Sequence, residues 1–160
     1  MAGRYAEDTK VPVDRSRAEI ERTLTRYGAD AFSYGWDGDR SVIMFQAHGR
    51  RIRFDVAMPT LGEVNRTETG LRRSGSAAES ARDKAVRQRW RALALIVKAK
   101  LEAVEAGIIT FEEEFLAHIM LPDGSKVADW MAPQLEHVYS TGQMPELLPP
   151  ARALLESGNR

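Results

Sequence analysis

The chain contains 160 residues, 43% of them hydrophobic, and its 23 basic and 23 acidic residues give a net charge of zero. A chain of this length is expected to fold as one domain with a substantial core. The absence of cysteine excludes a disulfide framework, a cysteine-based zinc site and a thiol nucleophile. No apolar run is long enough to span a membrane and the N-terminus has no signal-peptide core, so we expect a cytoplasmic protein.

The charges are distributed unevenly along the chain. Residues 1–100 hold 20 lysines and arginines against 13 acidic residues, whereas residues 101–160 hold 3 against 10. Arginine accounts for 18 of the 23 basic residues, and its planar guanidinium suits phosphate contacts and bidentate pairing. This asymmetry indicates either an anionic partner or the packing of one half of the sequence on the other, within or between chains.

The pattern divides the sequence into a flexible N-terminus over residues 1–13, a single domain over residues 14–148 and a tail over residues 149–160. The domain opens with an amphipathic helix. We predict that this helix begins at a capping box formed by Ser16 and Glu19 and ends before a glycine.

Three strands are predicted next, over residues 31–36, 40–48 and 50–58. The letters "DGD" after the first strand are typical of a hairpin turn, and a glycine separates the second strand from the third. Because the connections are short, the strands are expected to form an antiparallel meander.

Residues 59–76 lack a hydrophobic period and are predicted to form a long mobile loop. The longest helix then covers residues 77–107 and begins at a capping box formed by Ser76 and Glu79. Its central stretch "ALALIVKA" is apolar almost all round, which predicts a spine helix that is buried on two sides.

The C-terminal part is predicted to be helical. Thr110 and Glu113 form a further capping box, and a helix that ends at Gly142 contains Pro133, which is expected to kink or break it. A last helical turn is predicted at residues 150–156. The fold class is therefore α+β, with an N-terminal helix, a three-stranded antiparallel sheet, a long spine helix and C-terminal helices.

Basic residues of the third strand, the loop and the long helix are the candidate binding residues. Each phosphate that a cation neutralises adds affinity that is independent of sequence and weakens with salt. We predict contacts to nucleic acid, with DNA favoured over RNA, from Arg50, Arg51, Arg53, Arg72, Arg73, Lys84, Arg87, Arg91 and Lys98. The alternative is that these side chains pair with acidic residues of the C-terminal half, such as the run at 112–114.

Two further patterns have a structural and a functional interpretation each. Phe32, Tyr34 and Trp36 alternate along the first strand, which suits stacking on single-stranded bases but also suits a core against the long helix. Glu114 and His118 lie four residues apart on a helix, a spacing compatible with a metal, yet no third ligand is evident. No hydrolase, Walker or dinucleotide motif is present, so no cofactor, metal or catalytic residue is predicted.

Three separated stretches carry a resemblance to a known family. They are "RYGADAFSYGW" (26–36), "GRRIRF" (49–54) and "RWRALALIVKAKLEAVEAGIITFEEEFLAHIMLPDGSKVADWMAPQLEHVY" (89–139). In this order they resemble an uncharacterised family of proteins encoded in bacteriophage and prophage genomes. The resemblance implies a small phage protein acting in a bacterial cytoplasm, and it brings no functional residue with it. The order of elements is also that of double-stranded-RNA-binding folds, and a sheet backed by one basic helix is similar to single-strand annealing proteins, although motifs of neither are present.

These observations lead to alternative hypotheses. The first is a non-enzymatic phage protein that handles DNA, by single-strand binding or recombination support, and that can form a homo-oligomer when its acidic half packs on a neighbour. The second is a phage accessory or inhibitor protein that binds a host protein, such as a defence or transcription component, through the long helix and the Trp130–Met131 region. The third is a metal-dependent enzyme that uses Glu114 and His118.

Overall fold

The computed structural model describes residues 12–144 and has the predicted α+β architecture. Its elements, in chain order, are α1 (Val13–Arg26), β1 (Ala31–Asp37), β2 (Arg40–Ala47), β3 (Arg50–Ala57), α2 (Leu61–Val64), α3 (Gly75–Glu105), α4 (Phe111–Phe115), a 3-10 turn (Leu116–His118) and α5 (Val127–Thr141). The predicted order of an N-terminal helix, three strands, a long helix and C-terminal helices is confirmed. The predicted tail and the helical turn at 150–156 lie outside the described residues, as does nearly all of the predicted N-terminal segment.

The sheet is an antiparallel meander in the order β1-β2-β3. Phe45 of β2 faces Phe32 of β1 and Ile52 of β3, so alternate residues of all three strands share one face. His48 and Gly49, which join β2 to β3, both have positive φ, the conformation of a tight type I′ hairpin. This turn fixes the register that sends Ile52 to one face and Arg51 to the other.

One face of the sheet carries the core, and the other is uncovered among residues 12–144. Helices α1 and α3 supply fully buried side chains such as Ile20, Trp90 and Val97 to the core face. Phe115 of α4 completes this core and meets the ring of Phe45 edge-on at 5.7 Å. α4 therefore packs against the same sheet face as α1 and α3.

Helices α1 and α3 begin before the capping boxes that were predicted for them, at Ser16 and Ser76. α1 begins at Val13 with Pro12 as its N-cap, so the prediction of a capping box at Ser16 is wrong. Ser16 is fully buried because positions 16, 20 and 24 lie on the face that meets the core. α3 likewise begins two residues before the predicted start, with Ser74 as the N-cap. The capping box that begins α4 at Thr110 is confirmed.

Part of the predicted loop at 59–76 is folded. Thr60 and Glu63 form a capping box that begins α2, and Arg66 forms an isolated bridge with Arg72. The Arg73 backbone N–H donates to the Asn65 carbonyl over 2.7 Å, which ties the end of the segment to its centre. The mobility of this segment stays a prediction.

The prediction that α3 is buried on two sides is wrong within the described residues, since Ile96 on its outer side is 47% exposed. α5 continues as one helix through Pro133, so a break is excluded, whereas a kink at this proline stays a prediction. The helix ends, as predicted, at Gly142, which has a φ of 70°. A proline at this position removes one backbone hydrogen bond, and the remaining bonds keep the helix continuous.

Candidate nucleic-acid interface

The nine predicted binding residues lie on separate surfaces of the molecule. Arg51 and Arg53 extend from the uncovered face of β3, opposite Gln46 and Met44 of β2, and Arg50 lies at the turn that precedes them. The four candidates on α3 lie on the other side of the sheet, because α3 packs on the face that holds Ile52 and its neighbours. The sheet therefore divides the predicted set.

On β3, the guanidinium of Arg53 is already bound by a carboxylate. Its Nε and one terminal nitrogen each lie 2.8 Å from Asp55, and Lys126 Nζ lies 2.7 Å from the other oxygen of the same carboxylate. Burial acts to raise the pKa of Asp55, but the hydrogen bonds from Lys126 and Arg53 outweigh it and lower that pKa. The Arg53–Asp55–Lys126 cluster joins β3 to the start of α5.

The loop candidates differ from each other. Arg73 donates through Nε to the Val64 carbonyl over 3.0 Å and so closes the end of α2. Arg72 is exposed, and its side chain has no partner among residues 12–144. One of the two therefore has a structural role and the other is available to a ligand.

Contacts between α1 and α3 show how the two helices are aligned. The guanidinium of Arg91 is bound by the Glu19 carboxylate, and the hydroxyl of Tyr27 lies near the Glu102 carboxylate. Burial is the larger cause of the raised pKa of Tyr27, and this carboxylate adds to it. Because residue numbers rise together along both helices, α1 and α3 run parallel, with Glu19 level with Arg91.

This alignment brings two stripes of cations together. Residues 15, 19, 22 and 26 follow one another at spacings of four, three and four, so they share the face of α1 that Glu19 turns toward α3. The matching stripe on α3 holds four of the predicted residues. We define the basic ridge as Arg15, Arg22 and Arg26 of α1 with Lys84, Arg87, Arg91 and Lys98 of α3. The carboxylate of Glu19 lies between the two stripes, and that of Glu102 lies beside Tyr27 at their C-terminal end.

The remaining cations of α3 fasten this helix to its surroundings. Arg89 donates to the Ala57 carbonyl over 2.7 Å, and Arg82 donates to the Pro59 carbonyl over 3.0 Å. Lys100 Nζ lies 2.6 Å from a carboxylate oxygen of Glu114. The ridge side of α3 thus differs from its α2 side, where the guanidinium groups bind backbone oxygens.

A second exposed surface lies at the edge strand β1. Phe32 packs against the core, but Tyr34 is half-exposed and Trp36 is 71% exposed. The ring centroids of Tyr34 and Trp36 are 6.4 Å apart, with an angle of 22° between the planes. The guanidinium of Arg17 lies 4.5 Å from the ring centroids of both Tyr34 and Trp90, between the two rings. We call Arg17, Tyr34 and Trp36 the aromatic surface.

The candidate metal pair is engaged elsewhere. Glu114 binds Lys100, and the His118 ring stacks on Phe54 with centroids 4.0 Å apart. Burial is the main cause that lowers the pKa of His118, which favours its neutral form. Within residues 12–144 no cluster of three or more histidines and carboxylates is arranged to hold a metal ion.

Sequence reasoning missed the α1 half of the basic ridge and Arg17. The signal for the former was present, because Arg15, Arg22 and Arg26 repeat at spacings of seven and four. Comparison of the chain with family models, with curated proteins and with solved structures finds no match. Among the described residues, none of the helices is both long and apolar enough to traverse a bilayer.

Proposed function

We propose that the protein is a non-enzymatic nucleic-acid-binding protein and that the basic ridge is its binding surface. The observation that carries the proposal is the juxtaposition of seven cationic side chains from α1 and α3, of which Arg91 is bound by Glu19, while Glu102 and Glu105 lie near Arg26 at the C-terminal end of the ridge. Most of these side chains are exposed, and Arg87 and Arg91 are half-buried. Such a surface attracts a polyanion through the release of condensed counterions.

The dimensions of the ridge suit a phosphate backbone. At about 1.5 Å per residue, its α1 stripe extends over about 16 Å and its α3 stripe over about 21 Å. Phosphates of one strand of a duplex are about 3.4 Å apart along the axis, so several can lie along the ridge at once. Because these contacts are to phosphates, the expected binding has little sequence preference.

The aromatic surface favours single strands over duplexes. Bases stack on exposed aromatic rings when they are not already stacked in a helix, and Trp36 is such a ring. Arg17 lies between the rings of Tyr34 and Trp90 and so supports Tyr34 from the core side. Arg17 and the ridge residues extend from opposite flanks of α1, so a strand that contacts both the ridge and the aromatic surface must pass over this helix, which is about 10 Å wide. DNA handling, such as single-strand binding or recombination support, is the role we propose in a phage or prophage setting.

Arg51, Arg53 and Arg73 are not part of this proposed surface. The sheet lies between Arg51 and the ridge, Asp55 binds Arg53, and a backbone carbonyl binds Arg73. We therefore narrow the predicted set to the α3 residues and add the three arginines of α1.

Charge removal on the ridge tests the proposal. The variant Arg22→Ala/Arg87→Ala removes one cation from each helix, and Arg51→Ala/Arg72→Ala is the matched control with two exposed arginines elsewhere. At about 0.1 M salt, the loss of two single-strand phosphate contacts is expected to weaken binding about 25-fold. Fluorescence anisotropy with labelled single-stranded DNA, duplex DNA and single-stranded RNA measures the affinities. Equal affinities for the ridge variant and the control would contradict the proposal.

The aromatic surface has its own test. Trp36→Ala is expected to weaken single-strand binding by about 1–3 kcal/mol and to leave duplex binding nearly unchanged, because one stacking contact is lost. Trp130→Ala is the matched control, since Trp130 is 53% exposed on α5. A Trp36 variant that retains full single-strand affinity would remove stacking from the proposal.

A specific observation favours the second candidate function, in which the protein binds a host protein. No side chain of α5 is buried among the described residues, although Trp130, Leu135 and Tyr139 are all large, apolar and exposed. Trp130, Met131, Leu135 and Val138 lie on one half of the helix surface, which is the pattern of a helix that docks into a groove. Tryptophan and tyrosine are also the residues that most often dominate binding energies at interfaces.

The α5 candidate is tested by reconstitution with a purified partner. A tagged protein captures partners from a bacterial lysate, and each partner is purified. The affinity of each partner is then measured for the wild type, for Trp130→Ala/Leu135→Ala and for Arg22→Ala/Arg87→Ala. If the protein binds its partner through α5, only the α5 variant is expected to lose affinity for that partner. A partner that binds the wild type and the α5 variant equally would reject it.

A further inference from the structure

Among residues 12–144, Phe115 is the last side chain that is fully buried. The 3-10 turn at Leu116–His118 and α5, which follow it, contribute no fully buried side chain. α5 packs on this turn, and the turn packs on β3. The turn is therefore the joint that connects α5 to the sheet, and we call residues 116–141 the outer segment.

Main-chain contacts at the edge of β3 hold the outer segment on the sheet. The Met120 N–H donates to the Arg51 carbonyl over 2.8 Å, and Ile119 forms an isolated bridge with Ile52. The Val127 N–H donates to the Ile119 carbonyl over 2.9 Å, which ties the first residue of α5 to the same place. A segment that is held at one strand edge and has no fully buried side chain opens more easily than the core.

The side chain that closes the joint is His118. Its ring stacks on the ring of Phe54 in β3, with the centroids 4.0 Å apart and an angle of 23° between the planes. Phe54 belongs to the core, so the imidazole covers the core at the point where the outer segment meets the sheet. A neutral imidazole suits this position, because burial disfavours the charged form.

Two lysines lie near the His118 ring and oppose its protonation. Lys100 extends from α3, and Lys126 immediately precedes α5. Each lysine is held in place by a carboxylate, since Lys100 Nζ lies 2.6 Å from Glu114 of α4 and Lys126 Nζ lies 2.7 Å from Asp55 of β3. Burial is the main cause that lowers the pKa of His118, and the two lysines add to it.

Two groups of β3 act in the opposite direction. The main chain of Arg53 and the carboxylate of Asp55 favour the charged imidazole. Their combined effect is smaller than that of burial and the lysines, so the pKa of His118 remains lowered. The contact that closes the joint therefore depends on the charge of one ring.

We propose that His118 is a pH-sensitive latch, whose neutral ring holds the outer segment on β3 and whose protonation releases it. Because the pKa of His118 is lower in the closed state than the value of about 6.5 of a free histidine, the latch is closed above that pH. As the pH falls below it, the equilibrium constant for opening rises by up to about tenfold per pH unit and levels off below the pKa of the closed state. The latch is independent of whether the basic ridge binds nucleic acid.

Amide hydrogen exchange followed by NMR at about pH 7.5 and about pH 5, on either side of the ordinary histidine pKa, tests the latch. The amides of Met120 and Val127 lose their hydrogen bonds when the outer segment opens. Their protection, corrected for intrinsic exchange rates, is expected to fall at the lower pH. The amide of Val97, in the interior of α3, is the internal reference and is expected to keep its protection. Unchanged protection of Met120 and Val127 in the wild type would overturn the proposal.

Two variants assign the response to one histidine. His118→Phe keeps a ring against Phe54 but takes up no proton, so the protection of Met120 and Val127 is expected to be the same at both pH values. His137→Gln, at an exposed position of α5, is the matched control and is expected to respond to pH as the wild type does. An equal loss of protection in the wild type and in His118→Phe would assign the response to another group and would overturn the proposal.

The wild type provides a second measurement that does not depend on the folding of any variant. The ring protons of His118, followed by NMR, are expected to titrate below the value of about 6.5 of a free histidine. The loss of protection at Met120 and Val127 is expected to follow the same protonation. A His118 ring that titrates at or above the free value would overturn the proposal, because protonation would then not favour the open state.

Discussion

Removal of the Phe115 ring tests how the C-terminal segment is held on the sheet. Phe115 is completely buried, meets Phe45 and Phe54 edge-on at 5.7 Å and 6.4 Å, and packs 4.7 Å from Phe111. Replacement of a buried phenylalanine by alanine costs about 3–5 kcal/mol. The two edge-on contacts place the expected cost of Phe115→Ala in the upper part of that range, because each such contact adds roughly 0.5–1.5 kcal/mol beyond the effect of the buried area. We therefore expect Phe115→Ala to lower the free energy of unfolding by about 4 kcal/mol.

The assay for Phe115→Ala is urea and thermal unfolding followed by circular dichroism. For a domain of this size, a loss of about 4 kcal/mol lowers the melting temperature by roughly 8–16 °C. The control is Leu116→Ala at the next position, where the side chain is 52% exposed and the expected loss is below about 1 kcal/mol. Equal losses in the two variants would refute the view that the Phe115 ring is the anchor of this segment.

Two further variants test individual charges. Glu19→Gln removes the Glu19 carboxylate from the basic ridge and frees Arg91. The affinity for single-stranded DNA at about 0.1 M salt is therefore expected to rise about fivefold. Glu21→Gln, on another face of α1, is the control and is expected to leave this affinity unchanged. Asp55→Asn is expected to cost about 1 kcal/mol of stability at neutral pH, because the hydrogen bonds of Lys126 and Arg53 are weakened. Since the pKa of Asp55 is lowered in the folded state, its stabilising effect is present above the pKa of the unfolded chain, about 3.9, and disappears as pH falls through the lower folded value. Urea unfolding at neutral and strongly acidic pH is the measurement, and an Asn variant equally destabilised at both would contradict this explanation.

The sequence was sufficient for the order of the elements and for the sheet, because short glycine-containing turns leave few alternatives to a meander. It was less reliable for helix starts, where Ser16 matched a capping signal but belongs to the buried face of α1. In the opposite direction, the Thr60–Glu63 capping box was present in the sequence and unrecognised, because the surrounding composition indicated a loop.

The binding surface could be predicted only in part. The α3 stripe follows from helical periodicity, but its union with Arg15, Arg22 and Arg26 depends on the parallel packing of α1, which is a tertiary property. The exposure of Trp36 depends in the same way on how far α1 covers the edge strand. The alternation along β1 correctly predicted that Phe32, Tyr34 and Trp36 share one face of the sheet. It could not predict that Phe32 is covered and the other two are exposed.

The salt dependence of single-stranded DNA binding tests the basic ridge most directly. With Arg91 bound by Glu19 and Lys84 engaged in an interaction of its own, up to five ridge cations are available. At about 0.7 per phosphate, the plot of log affinity against log salt has an expected slope of about −3.5. Arg22→Ala/Arg87→Ala is expected to reduce the slope to about −2, and Arg51→Ala/Arg72→Ala is expected to keep it at about −3.5. Absence of binding at about 50 mM salt, or a slope that changes in the control and not in the ridge variant, would contradict the assignment of the ridge as the nucleic-acid-binding surface.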